Sequence, residues 1–150
     1  MQPYYRPSTA GDAEILAPKL RKQDVEEVWA SHGLTPIAAL VTSQTNSSES
    51  HTIIASDGEV IGMFGVVDDG AVGVPWLLTS DRLPEVAREF LPQSREWVER
   101  INQDYLVLTN YVDVRNRSAQ RWLKWLGFKF VRVVEEYGYE KKPFYEVVRI

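Results

Sequence analysis

Asp113, Asp69 and His51 are the candidate proton acceptors in this 150-residue sequence, since a carboxylate or an imidazole can act as a general base. A second set of residues can hold an anion. Arg115, Arg117 and Arg121 surround a predicted helix start at Asn116, and Ser80 and Arg82 stand at another. Helix N-termini and guanidinium forks both suit phosphate. Each group also has a plainer use, the acids and the histidine in turns and the arginines on a solvated helix face. Cysteine is absent, so thiol nucleophiles, disulfides and cysteine-ligated zinc are excluded. His32 and His51 are too few for a histidine metal site, and no metal is expected.

The element that must position most of these groups is Asn116–Gly127. Ala119, Trp122, Leu123 and Leu126 fall at helical spacing on one face, and Arg117, Gln120, Arg121 and Lys124 fall on the other. Asn116 is the expected N-cap and Gly127 the left-handed stop. An apolar strand, Leu106–Val114, precedes the helix, and Phe128–Val134 follows it as another strand. Trp122 reads as core, whereas Trp125 falls off the apolar face and suits a place under the C-terminal hairpin or a partner surface.

Earlier in the chain, Tyr4–Pro7 reads as a short first strand. Thr9–Asp12 has capping-box spacing ahead of a helix that Pro18 should shorten or kink. Asp24 is expected to open a second helix, closed by Gly33, and Thr35-Pro36 to open a third. Asn46–Ser50 reads as a polar loop. Two apolar runs joined through Asp57-Gly58 form a hairpin, and Asp68-Asp69-Gly70 makes the next turn. In the run Ala71–Leu78, Gly73 and Pro75 predict a bulge or an unpaired stretch. A helix should follow from Ser80 or Asp81, kinked or divided at Pro92. The last strand is expected at Phe144–Ile150, after a Gly138–Pro143 turn.

The length suits one domain, residues 1–150, and 44% apolar residues suffice for one core. No run reaches membrane-spanning length and the N-terminus is unlike a signal peptide, so a cytoplasmic protein is expected. The first 75 residues carry four Lys/Arg against ten Asp/Glu, whereas the remainder carries 13 against 11. The acidic total argues against nucleic-acid binding, and the basic second half suits a small polyanion.

The pattern N-x-x-A-x-x-x-L-x-x-L-G-F from Asn116 resembles the last conserved helix of the GNAT family, the acetyl-CoA-dependent N-acetyltransferases. The opening strand-Arg-Pro-Ser/Thr-x-x-Asp-helix is similar to the start of many such domains. The resemblance implies an α/β fold with a central, mostly antiparallel, splayed sheet of about six or seven strands flanked by helices. It implies acetyl-CoA or coenzyme A as cofactor, with Leu77, Leu78 and Thr79 on its pantetheine arm. Ser80, Arg82 and a helix start would lie at its pyrophosphate, with Asn116 on pantetheine and Arg117 near phosphate. The family's glycine-rich phosphate loop is absent from Thr79–Pro84. Its thiolate-protonating Tyr is replaced by Leu123, so the acid is to be sought in Tyr111, Tyr105, another group or water, with Asp113 among the candidate bases.

Three stretches, Trp76–Asp81, Arg95–Val98 with Tyr105, and Asn110–Gly127, also resemble the internal virion protein A family of short-tailed bacteriophages. That resemblance implies a phage protein in the cytoplasm of a bacterial host, whose partner is a host protein or a virion protein. Two functions are carried forward. One is acyl-CoA-dependent N-acetyl transfer to an amine of a host or phage molecule. The other is a catalytically degenerate fold that acts by docking on a host enzyme or a virion component.

Overall fold

The computed structural model describes residues 2–150. The chain runs β1 (Tyr4–Pro7), α1 (Asp12–Leu16), a 3-10 turn (Ala17–Lys19), α2 (Lys22–His32), α3 (Pro36–Asn46), β2 (Ser47–Ile54), β3 (Val60–Asp69) and β4 (Val72–Thr79). It continues through α4 (Leu83–Ile101), β5 (Val107–Asp113), α5 (Arg117–Trp125), β6 (Lys129–Tyr137) and β7 (Lys142–Arg149). The seven strands form one sheet in the order β1-β2-β3-β4-β5-β7-β6. This is the mixed α/β architecture with a seven-stranded sheet and flanking helices that the sequence predicts.

Each face of the sheet has its own core. On one, α4 and α5 cover Phe64, Val66, Leu108, Val112 and Val147 with Val86, Phe90, Trp97 and Leu123. On the other, α1 and α3 cover Ile54, Met63 and Leu78 with Leu16, Ala39 and Leu40. No described helix is long and apolar enough to cross a membrane.

Every neighbouring pair of strands is antiparallel except β4 and β5. Those two run parallel and pair only at Val72–Val107 and Gly73–Leu108. Beyond that point they diverge. Gly73 is required at the last paired position, because a Cβ there would lie 2.8 Å from the Tyr105 ring. Pro75 follows on the strand with no N–H to donate. β4 stays in unbroken register with β3 from Val72 to Thr79, so the expected bulge is absent and the unpaired edge faces β5.

The other local differences have physical causes. Asn46–Ser50 is mostly strand, not loop, because its polar groups find partners: Trp76 Nε1 donates to Ser47 Oγ at 2.7 Å, and Ser8 N–H donates to Ser50 O at 3.1 Å. Helix α2 begins two residues before Asp24, which sits in its first turn. Helix α4 runs unbroken for 19 residues through Pro92. Its apolar face on the core holds it together, and Ser94 Oγ donates to Leu91 O at 2.7 Å beside the proline. The helix caps and turns agree with expectation at Thr35, Asn116, Gly33 and Gly127.

Candidate active site

The divergence of β4 from β5 opens a cleft of about 420 Å³ on the α4/α5 face. Leu83, Ala87 and Leu91 of α4 form one wall, Ala119, Trp122 and Leu123 of α5 the other. Asp24 and Glu27 of α2, with Arg21 just before it, reach its floor from the far side of the sheet. A second chamber of about 280 Å³ lies on the α2/α3 face. The two share Glu27, Trp76, Leu77, Asn110 and Tyr111, so they flank the gap between the strands from opposite faces.

Unpaired strand edges carry exposed backbone donors and acceptors that must find partners. Here side chains supply most of them. Asn110 Nδ2 donates across the gap to Pro75 O at 2.6 Å, and its Oδ1 accepts the N–H of Tyr111 at 2.7 Å. Asp24 Oδ2 accepts the N–H of Thr79 at 3.0 Å, and Arg21 N–H donates to Thr79 O at 2.9 Å. Glu27 Oε1 accepts the N–H of Asp113 at 2.8 Å. Alternation along β4 turns the N–H and C=O of Leu77 toward the same gap, between the sealed positions Pro75 and Thr79. Leu77 is therefore the place on this edge where an extended ligand can make backbone hydrogen bonds.

Glu27 is the titratable group at the junction. Burial pushes its carboxyl up to about 8, and the nearby Asp24 and Asp113 charges push the same way. The Asp113 N–H and the Asn116 amide oppose the rise without cancelling it. Asn116 Nδ2 lies 3.4 Å from Glu27 Oε1 and 3.5 Å from Asp24 Oδ1, while its Oδ1 caps α5 through the N–H of Ala119 at 3.3 Å. Asp24 is tied to Arg21 at 2.9 Å, and Arg21 donates to Ser118 Oγ at 3.3 Å. The starts of α2 and α5 and the end of β4 are thereby joined in one buried polar network.

The sequence-predicted residues fall in different places. Leu77, Asn116 and Tyr111 line the cleft, as does Leu123. Leu78 points into the opposite core, and Thr79 is sealed by Asp24 and Arg21. Ser80 is buried, with its N–H on Ile61 O and its hydroxyl oxygen accepting the N–H of Arg82 at 3.2 Å. Arg82 is held by Asp57, Glu59 and Glu85 at 2.8–3.2 Å, which raise its pKa. Pro84 has no N–H, so the start of α4 presents little free backbone to a phosphate. Arg117 is exposed on α5, and Arg121, one turn on, lines the cleft; neither forms a salt bridge among the described residues.

Asp113 lies outside both cavities, its two carboxylate oxygens occupied by Arg115 at 2.6–3.2 Å. Tyr111 stacks on Tyr137 at 4.4 Å and its hydroxyl donates to Glu146 at 3.3 Å. His51 stacks on Phe64 beside Glu49, Asp69 is exposed at the end of β3, and Tyr105 bonds Ser48; none of the three lines either cavity. Trp122 is half-buried and lines the cleft, donating to Ser94 Oγ at 3.3 Å, and Trp125 lies under the Arg95 guanidinium. Sequence reasoning missed Glu27, Asp24 and Arg21. The available signal was a pair of acids three residues apart on the helix face that also carries Val28, which packs against the core.

No protein-family model and no curated protein sequence matches the chain. Solved structures do. Ard1 from Thermoplasma volcanium superposes with a TM-score of 0.71 at 17% identity, over 100% of this chain and 98% of that one. A spermidine N-acetyltransferase from Vibrio cholerae, solved with CoA and spermine, gives 0.70 at 11% identity, over 99% and 95%. A GNAT-family acetyltransferase from Bacillus anthracis gives 0.73 at 8% identity, over 100% and 95%. At such identities the likeness is one of fold, and it extends over the splayed strands that form the cleft: this chain has the GNAT acetyltransferase fold.

Proposed function

We propose that the protein is an acyl-CoA-dependent N-acetyltransferase that transfers the acyl group directly to an amine. The observation that carries this reading is that two cavities, on opposite faces of the sheet, are both lined by Glu27 at the gap between β4 and β5. The cleft suits the arm of the cofactor: it is narrow, largely apolar and edged by the backbone of Leu77. The phosphate end is served differently from the sequence expectation. Arg82 and the start of α4 are engaged within the protein, so the cations left for phosphate are Arg121 on the cleft wall and Arg117 beside it.

When bound, acetyl-CoA supplies the acyl carbon to which the amine nitrogen bonds as the carbon–sulfur bond breaks, and of the two protons lost from the ammonium one ends on sulfur. Glu27 takes the other. A carboxylate whose pKa is near 8 is matched to an ammonium far better than an ordinary one. The Asp113 N–H and Asn116 fix the Glu27 carboxylate at the junction, where amine and acyl group would converge. Glu27 thus replaces Asp113 as the proposed base. Tyr111 is the phenol on the cleft wall available to return a proton to sulfur.

The closed start of α4 favours a second reading, in which the fold binds a partner protein and does no chemistry. Trp125 under Arg95 supplies an exposed aromatic surface for it. The resemblance to phage virion proteins gives this reading its partner, a host or virion protein in the bacterial cytoplasm. Calorimetric titration with acetyl-CoA separates the two. Binding on the order of micromolar Kd with a raised Tm supports the enzyme. Heat-silent titration at millimolar acetyl-CoA, with no change in Tm, overturns it in favour of docking.

A further inference from the structure

The chamber on the α2/α3 face has a restricted inventory of charge. Glu27, at its inner end, is the one carboxylate that lines it. The polar groups farther out are Ser31, Thr42, Ser43 and Asn46, all neutral, and His32, which is never an anion. Glu146, which accepts from the Tyr111 hydroxyl, is paired with Arg132, and the next acids along the surrounding elements, Glu26, Asp68, Asp69, Glu136 and Glu140, lie outside the lining and open to solvent. A charge pair formed there contributes little.

The remaining walls are apolar and flat. Trp76 is fixed by its bond to Ser47, and the Tyr111 and Tyr137 rings stack with an interplanar angle of 16°. The Tyr137 pKa is raised by burial first, with Tyr111 and Glu27 adding to it, so its hydroxyl stays neutral at working pH. At roughly 30 Å³ per water-sized group, 280 Å³ takes about nine of them. A chamber with one carboxyl group at its inner end and aromatic walls selects for a ligand with one amino group and an uncharged body.

We infer that the acceptor is a small primary monoamine with an apolar, preferably flat, body, admitted from the α2/α3 face with its nitrogen toward Glu27. The inference rests on the acetyl-transfer reading and narrows it. Polyamines are poor acceptors here, because their further ammonium groups would be desolvated against neutral walls with no carboxylate to pair.

The test pairs direct binding with turnover. Phenethylamine and spermidine are titrated calorimetrically, and release of free thiol from acetyl-CoA is followed with each. The expected result is binding of phenethylamine at least tenfold tighter than spermidine, with kcat/KM in the same order. Thr42→Phe narrows the mouth from an exposed helix position, so the fold is retained. It should raise KM for phenethylamine at least tenfold and leave acetyl-CoA affinity unchanged. Preference for spermidine, or phenethylamine binding indifferent to Thr42→Phe, overturns the inference. Intact acetyl-CoA binding with no monoamine bound or turned over also overturns it, while leaving the donor site standing. Loss of acetyl-CoA binding in the parent protein overturns both readings together.

Discussion

Glu27 Oε1 accepts the backbone N–H of Asp113 at 2.8 Å, so a helix side chain completes the hydrogen bonding of a strand edge that its neighbour has left. The same contact fixes a carboxylate between two cavities. It therefore joins the structural problem of a splayed sheet to the chemical one of placing a base.

The first consequence concerns stability. An acid whose folded pKa lies near 8, against 4.5 unfolded, holds its proton in the native state where the unfolded chain has lost it. Stability then falls as pH rises from about 4.5 to about 8. Glu27→Gln keeps an acceptor for Asp113 and removes that cost. The variant should match the parent near pH 4 and exceed it at pH 8, by 1 kcal/mol or more, roughly 2–4 °C in Tm. Thermal melts across that range measure it, and a constant difference would refute the buried carboxylate.

Activity runs the opposite way. Only the ionised carboxylate accepts a proton, so kcat/KM, which follows the free protein, should rise with pH through an apparent pKa near 8. Glu27→Gln should lower kcat by about 10²–10⁴-fold and flatten the profile, with acetyl-CoA affinity retained. Asp113→Asn, outside the cavities, should keep the rise but move its midpoint to lower pH, because the Asp113 charge helps to raise the Glu27 pKa.

Asp24 is 2% exposed and serves Arg21, Thr79 N–H and Asn116 together. Asp24→Ala leaves a buried guanidinium without its carboxylate and a strand N–H without an acceptor. The expected loss is about 3–5 kcal/mol. Chemical denaturation gives the value, and a loss under 1 kcal/mol would show that the network carries little of the fold.

The two arginines near the cleft should separate cleanly. Arg82 is a surface residue among three acids, so Arg82→Ala should leave acetyl-CoA affinity unchanged and Tm within about 2–4 °C. Arg121→Glu should weaken acetyl-CoA at least tenfold and leave binding of pantetheine alone unchanged. The reverse pattern would return the phosphates to the start of α4.

Asp12 governs the acid end. Burial raises its pKa, but Arg6 at 2.9 Å, the Thr9 N–H and the Thr52 hydroxyl outweigh it and hold the carboxyl at about 2, below its ordinary 3.8. The stability it contributes is complete above about 4 and disappears as pH falls through about 2. Asp12→Asn should therefore destabilise at pH 6 and make no difference near pH 1.5, as melts at the two values would show.

The sequence determined the elements, because their signals are local. The helical spacing of Ala119, Trp122, Leu123 and Leu126, the Asn116 cap, the Asp57-Gly58 turn and the Gly73–Pro75 interruption are each written within a few residues, and each holds. Even so, Asn46–Ser50 read as loop and Pro92 as a break, because the partners that stabilise strand and helix there lie elsewhere in the chain. The site was less legible for the same reason. Asp113 and Arg82 have suitable chemistry, but their charges are already paired, Asp113 with the neighbouring Arg115, and Arg82 with Glu85 and with Asp57, 25 residues back in the chain. Glu27 sits 86 residues from the backbone N–H it accepts. Its raised pKa comes from burial against a strand edge, and burial of that kind exists only once α2 has packed over the gap between β4 and β5.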